Sequence, residues 1–315
     1  MDALYLGALA GFPAALLLSV ALILLLRDKL PQDHGRAFAV DGEKTRGKAR
    51  GTGVIFIPVF AGLSLLLVPF SLEMAVYMLL TLAAMLTGYL DDRSDLPWGE
   101  LKKGLLDLVI CLLAVVTFMN TNAAPYSVSF FGNVLELPKW LFFLAAVFVL
   151  WAFINCCNCS DGVDGLFGSL SVVALSATSY ALYRFFDKGQ WAVCGMILVG
   201  CVLAYLLFNA SPCMLMMGDA GSRSIGLFLG ILMLQTGNML LCIPFAVVIL
   251  LNGGLGLLKL SVMRLFRTKK FLANLRTPLH DEFRKKRGWS DTQTVFRFVI
   301  AQLLCAVVGL LLLAA

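Results

Sequence analysis

The chain has 315 residues, of which 60% are hydrophobic and only 14% charged, with a formal net charge of +6. Soluble domains carry roughly 25% charged residues, so a water-soluble globular enzyme is excluded and an integral membrane protein is indicated. The apolar residues fall in blocks near the ~20 that a helix needs to cross ~30 Å of hydrocarbon, not in the ~10-residue alternating strands of an outer-membrane barrel.

Ten such blocks follow one another, at 4–26, 52–70, 72–90, 104–121, 137–156, 165–184, 190–210, 222–239, 241–264 and 293–315. The expected fold is an all-α integral membrane bundle of ten transmembrane helices, one polytopic domain over 1–315 with no soluble domain left over. The first block lacks a basic leader and a small-residue cleavage site, so it reads as a retained span. An even number of spans puts both termini on one side. The loops after the odd-numbered blocks hold twenty Lys and Arg, against only Lys139, Arg184 and Lys188 in the others. Positive charge gathers on the cytoplasmic side, so the odd loops are cytoplasmic and both termini extracytoplasmic. No nucleic-acid partner is expected.

The nine cysteines lie mostly inside blocks, and Cys156 and Cys159 have no second pair at similar spacing. They read as apolar filler and not as a disulfide framework or a zinc site. On the outer side, residues 126–138 alternate apolar and polar around Gly132 and Asn133, which predicts a short hairpin.

The polar residues are not scattered. Asp91 and Asp92 end the third block, Asn155, Asn158, Asp161 and Asp164 close the fifth, Asp219 follows the seventh, and the basic segment 264–291 follows the ninth. An ionisable group costs about 2.5–3.5 kcal/mol at the centre of a membrane helix, so polar clusters at four helix ends on one face point to a shared site. Residues three apart on a helix are neighbours offset by ~60°, so Asn155 to Asp164 form a winding polar ladder. Gly162 and Gly165 let backbone or ligand approach it closely.

Carboxylate and amide oxygens are hard ligands. They suit Mg²⁺, which takes one or two protein carboxylates and completes its shell with water and substrate phosphates. Lys102, Lys103 and the bases of 264–287 supply charge for phosphate oxygens, so the inventory suffices for phosphoryl transfer. No G-x-x-x-x-G-K-[ST] is present, and His34 and His280 are the only histidines, which argues against a P-loop or a Ser-His-Asp triad. Asp107, Lys259 and Arg297 read as snorkelling or paired residues, and Asn252-Gly253-Gly254 as a bend in the ninth block. A secondary transporter would place its carboxylates at the midplane between repeated halves, and neither feature is found in the sequence.

GYLDD at 88–92, NCCNCSDGVDGL at 155–166 and MGDAGS at 217–222 resemble, in that order, three motifs of the polyprenyl-phosphate N-acetylhexosamine-1-phosphate transferases. The resemblance runs over most of the chain. DGEKTRGKARGTG at 41–53 and TPLHDEFRKKRGWSD at 277–291 are similar to loops of the family's muramoyl branch. The sequence departs from that branch at Asp281 and Glu282, where the branch has histidines, and it lacks the T-M-G-G that follows Gly-Thr. DDRSDLP at 91–97 looks more like the branch that uses N-acetylglucosamine.

The resemblance implies transfer of phospho-MurNAc-pentapeptide from UDP-MurNAc-pentapeptide to undecaprenyl phosphate, with Mg²⁺ and release of UMP. The alternative it leaves is a UDP-GlcNAc donor. It implies a homodimer in a bacterial plasma membrane, with the site facing the cytoplasm. Asp91, Asp92, Asp219 and His280 are the implied catalytic residues, Asp219 and Asp92 the metal ligands, and Lys102, Asn155, Asn158, Asp161 and Asp164 the substrate-binding set. Which of Asp91 and Asp92 serves as base or nucleophile stays open. Asp281 and Glu282 would repel a phosphate and are expected to pair with neighbouring bases or to bind sugar hydroxyls.

Overall fold

The structure, a computed structural model, describes residues 3–33, 46–94, 96, 98–124, 126–130, 133–268 and 270–315. Its helices are α1 (Ala3–Leu26), α2 (Gly53–Leu67), α3 (Leu72–Arg93), α4 (Glu100–Thr121), α5 (Lys139–Ser160), α6 (Leu166–Phe185), α7 (Gly189–Asn209), α8 (Gly218–Gln235), α9 (Cys242–Leu265), α10 (Leu279–Arg287) and α11 (Asp291–Ala314). Between α4 and α5, β1 (Tyr126–Phe130) pairs antiparallel with β2 (Asn133–Leu137), with Tyr126 opposite Leu137. This is the predicted hairpin; Gly132 at its turn lies outside the described residues, as do His34 and residues 41–45 of the first loop.

Each of the ten apolar blocks is helical. Among the described residues, eight helices are long and apolar enough to cross a membrane, which makes the chain a multi-pass membrane protein. The expectation of ten spans is not matched by this measure, because α2 and α8 fall short of it. α2 has 15 residues and so extends about 22 Å. α8 has 18 residues but carries Asp219, Arg223 and Gln235 among them.

α8 is instead the central post of the bundle. All of its residues from Gly218 to Gln235 are buried, against α2, α3, α5 and α6. Small residues allow that approach, as is usual where membrane helices pack without a hydrophobic driving force. A Cβ on Gly226 would lie 2.7 Å from the Phe153 carbonyl oxygen of α5, and one on Gly88 of α3 would lie 2.5 Å from the Asp219 backbone. The outer faces of the surrounding helices expose Leu66, Leu79, Leu105, Phe148 and Leu304, as a lipid environment requires.

Two expectations are corrected here. One of the twenty charges counted with the odd loops, Arg223, is not a loop charge: it sits in α8, 2% exposed, because the helix already begins at Gly218. The segment 277–291 is not a plain loop either, since Leu279–Arg287 forms α10. Its nine residues are largely charged and so leave no apolar signature. Phe283 stacks on Trp289 at 4.3 Å and meets Phe298 of α11 edge-on, which docks α10 to the bundle. Ser290 and Gln293 form a capping box at the start of α11.

Candidate active site

The start of α8 lies beside the end of α3, and the sequence dictates that closeness. Gly218 has φ +71°, a backbone conformation that favours glycine, and a Cβ there would run into the Asp92 carboxylate. With glycine in place, the Asp219 N–H donates to Asp92 Oδ2 at 2.7 Å. A carboxylate therefore caps the positive end of α8, where it complements the helix dipole.

The loop before α2 runs alongside. Thr52 donates through its N–H and its Oγ1 to the Met216 carbonyl, at 3.1 and 2.9 Å. Gly51, at φ +82°, carries the chain past Tyr89. This places Arg50 among the acids: Nη2 is 2.6 Å from Asp92 Oδ1 and 3.7 Å from Asp219 Oδ1, and Nη1 is 3.3 Å from Asp33 Oδ1. Burial works against the Arg50 charge, but Asp92, Asp219, Asp33 and then Asp161 outweigh it and hold the pKa above the usual arginine value.

Asp91 faces the other way. Its Oδ1 accepts the Trp98 N–H at 2.8 Å, and its Oδ2 is ion-paired with Lys103. Lys103 Nζ also stands 3.7 Å from Asp219 Oδ2. Three carboxylates and two cations thus converge at one end of α3, α4 and α8.

The two adjacent lysines of α4 diverge. Lys102 Nζ lies over the Trp98 ring, 3.4 Å from its centre, while Lys103 reaches the aspartates. Adjacent helical residues point ~100° apart, so only one of the two can face the acids.

The Asn-Asp ladder divides. Asn158 donates to Ser222 Oγ at 3.2 Å, at the first turn of α8. Asp161, at the end of α5, lies within electrostatic reach of Arg50. Asp164 Oδ2 accepts the Cys213 N–H at 2.9 Å and so holds the loop before α8. Asn155 donates to the Trp151 carbonyl of its own helix at 2.9 Å and hydrogen-bonds Asp107, one turn below Lys103 on α4. Asn209 Oδ1 accepts the Gly165 N–H and its Nδ2 donates to the Leu215 carbonyl, both at 2.8 Å, which ties the two motif loops together.

His280, 3% exposed, packs against the DGVDG turn; a Cβ on Gly162 would lie 2.5 Å from its Nε2. Its backbone N–H donates to Asn252 Oδ1 at 3.0 Å, and ring Nδ1 is 3.1 Å from the same oxygen. An amide oxygen only accepts, so Nδ1 carries the proton and Nε2 presents a lone pair toward Gly162. Burial holds the His280 pKa down at about 4. The ring is neutral at physiological pH and acts as an acceptor on this side.

Asn252 therefore anchors His280 and does not mark a bend, for α9 runs unbroken past it. Gly253 lets α9 close on the Cys156 carbonyl. Asp281 and Glu282 pair as expected: Asp281 is 4.0 Å from Arg284, and Glu282 is 3.0 Å from Lys286 and accepts the Arg276 N–H at 2.6 Å. Lys259 donates to the Leu275 carbonyl at 2.7 Å, and Arg297 stacks on Trp289.

Among the described residues no three His, Cys, Asp or Glu side chains form a closed metal cage. The donor chemistry nonetheless fits Mg²⁺. Asp219 is a hard oxygen donor with its side chain 12% exposed, beside Asp92, whose own oxygens are held by Arg50 and the Asp219 N–H; Mg²⁺ takes as few as one such protein carboxylate and completes its shell with water and phosphate.

Residues 74–237, which contain all three acidic motifs, match glycosyl transferase family 4. The phospho-N-acetylmuramoyl-pentapeptide-transferase of Treponema pallidum (strain Nichols) is 41% identical over 291 residues, covering 87% of this chain and 80% of that protein. The protein of the same name from Bartonella quintana (strain Toulouse) is 28% identical over 314 residues, covering 90% and 85%. That of Rickettsia canadensis (strain McKiel) is 28% identical over 318 residues, covering 89% and 84%. The chain belongs to glycosyl transferase family 4 and, within it, to the phospho-N-acetylmuramoyl-pentapeptide-transferases.

Proposed function

We propose that the chain transfers phospho-MurNAc-pentapeptide from UDP-MurNAc-pentapeptide to undecaprenyl phosphate, releasing UMP. The observation that carries this reading is the convergence of Asp91, Asp92 and Asp219 with Arg50 and Lys103 at one end of the bundle. Such a site handles an anionic, metal-bound pyrophosphate beside a membrane surface. The names of the relatives favour the muramoyl donor over UDP-GlcNAc.

In the reaction, an oxygen of the lipid phosphate attacks the phosphorus attached to the sugar. The new P–O bond joins lipid and sugar phosphates, the old one breaks, and the bridging oxygen leaves with UMP. Asp219, the more exposed of the two carboxylates, would hold Mg²⁺, which when bound would neutralise the pyrophosphate and its leaving group, while Asp92 would fix Asp219 and Arg50 beside it. Asp91 is better placed than Asp92 to orient or deprotonate the acceptor. It lies beside the partly exposed Lys103, whereas the Asp92 side chain is fully buried and committed to Arg50 and the start of α8.

Arg50 and Lys103 stabilise charge on the transferring phosphoryl group. Asn158 and Asp161 line the donor side, and His280 supports the Gly162 turn with its neutral ring. We place this end of the bundle in the cytoplasm, both termini outside, α2 and α8 as membrane-embedded helices nine and ten, and the working unit as a homodimer in a bacterial plasma membrane.

The test is to offer purified protein UDP-MurNAc-pentapeptide and UDP-GlcNAc side by side, with undecaprenyl phosphate and Mg²⁺. UMP release should be confined to the muramoyl donor. Preference for UDP-GlcNAc would reassign the donor, and gradient-driven uptake without UMP release would make the protein a transporter.

A further inference from the structure

We infer that Asp107 and Arg223 form a positioning pair that sets the Lys103–Asp219 layer of the active site, an inference that rests on the function proposed above. Lys103 and Asp107 are four residues apart on α4, and Asp219 and Arg223 are four apart on α8. Residues at that spacing share a helix face, one turn apart. α4 therefore offers α8 a cation and then an anion, while α8 answers with an anion and then a cation.

The upper layer, Lys103 and Asp219, is loose and partly open, with 3.7 Å between the charged atoms and the side chains 30% and 12% exposed. The lower layer is closed: Arg223 Nη2 is hydrogen-bonded to Asp107 Oδ1, and the side chains are 3% and 2% exposed. Asn155 of α5 also binds Asp107, so the pair is tied to the helix that carries Asn158 and Asp161. Sliding α8 by one turn would oppose Lys103 to Arg223 or Asp107 to Asp219. Like charges in a buried seam are costly, so the quartet selects the register in which Asp219 meets Lys103 and Arg50.

Stability alone does not account for the pair. Buried ion pairs are often no more stable than apolar residues of similar volume. Here Arg223 Nε and Nη1 have no hydrogen-bond partner among the described residues. The pair's contribution is register and charge order beneath the reacting groups.

Three double variants test this: Asp107→Asn/Arg223→Gln, Asp107→Leu/Arg223→Leu, and the exchange Asp107→Arg/Arg223→Asp. Thermal unfolding, steady-state UMP release and hydrogen–deuterium exchange over residues 100–107 and 216–224 are measured for each. Both neutral pairs should unfold within a few degrees of the parent and lose kcat on the order of 10- to 100-fold, with KM for both substrates within about threefold. Exchange should quicken in those two segments alone. The charge-exchanged pair should not recover activity, because it places Arg beneath Lys103 and Asp beneath Asp219. Parental kcat in a folded neutral pair, recovery in the exchanged pair, or unfolding of both neutral pairs would overturn the inference. If the parent itself releases no UMP, the functional reading fails separately, and hydrogen exchange in the two segments still decides the pair's role.

Discussion

Asn252→Leu tests how His280 is held. Asn252 is fully buried, and its Oδ1 accepts from both the backbone N–H and ring Nδ1 of His280. Leucine fills similar space but accepts neither bond. Two buried donors left unpaired cost about 2–6 kcal/mol, at 1–3 each. Against this, Asn252 Nδ2 has no partner among the described residues, so its removal returns about 1–3 kcal/mol. The net is about 1–3 kcal/mol of lost docking between α10 and α9, equivalent to roughly a 5- to 150-fold fall in UMP release if the geometry must be restored in the transition state. Initial rates at saturating substrates give the first number, and hydrogen exchange over residues 279–287 reports the docking. A rate within twofold of the parent with unchanged exchange would show that the Asn252 contact does not position His280.

Other outcomes follow from the same geometry. Lys103→Ala should cut transfer by about 100-fold while Lys102→Ala stays within about threefold, since only Lys103 reaches Asp91 and Asp219; the reverse order would mean that α4 is rotated from the orientation described. Arg50→Ala should leave three acids without their shared cation and reduce kcat about 100-fold, with partial rescue by Arg50→Lys; equal rates for Ala, Lys and parent would remove Arg50 from the site. His280, held at about 4 in the folded chain against an ordinary ~6.5, binds its proton more readily when unfolded. Stability from this group is therefore complete above about pH 6.5 and falls by roughly 3 kcal/mol as pH drops to 4. Thermal unfolding of the parent should show that slope and His280→Gln should flatten it; identical slopes would contradict the burial argument.

The acidic half of the site was legible because carboxylates stand out in an apolar chain. Asp91 and Asp92 close α3 and Asp219 opens α8, helices that otherwise hold little charge, so their meeting follows once those helix ends share a side. The basic half was hidden for the same physical reason. Arg50 sits in a loop of seven Lys and Arg, where positive charge already serves to orient the chain in the membrane, and nothing local separates a cation that faces the acids from an anchoring one. Lys102 and Lys103 differ only by the rotation of α4, which packing sets. Arg223 looked like a loop charge because it stands at the very edge of the hydropathy block, beside the polar stretch before residue 222, yet four residues of α8 precede that point. Asn252 looked like a helix interruption because its partner, the His280 backbone, is 28 residues away. α10 left no trace because a nine-residue charged helix buries only one residue fully.

The most direct measurement of the central claim is UMP release by purified parent and Asp219→Asn protein, given UDP-MurNAc-pentapeptide and undecaprenyl phosphate across a Mg²⁺ titration. The parent should release UMP in a Mg²⁺-dependent way and stop on chelation. Asp219→Asn, unchanged in shape but short of one metal-binding charge, should fold and bind lipid yet release UMP at a rate lower by about 1,000-fold or more. Parental activity of Asp219→Asn at low Mg²⁺ would contradict the assignment of these aspartates as the catalytic centre.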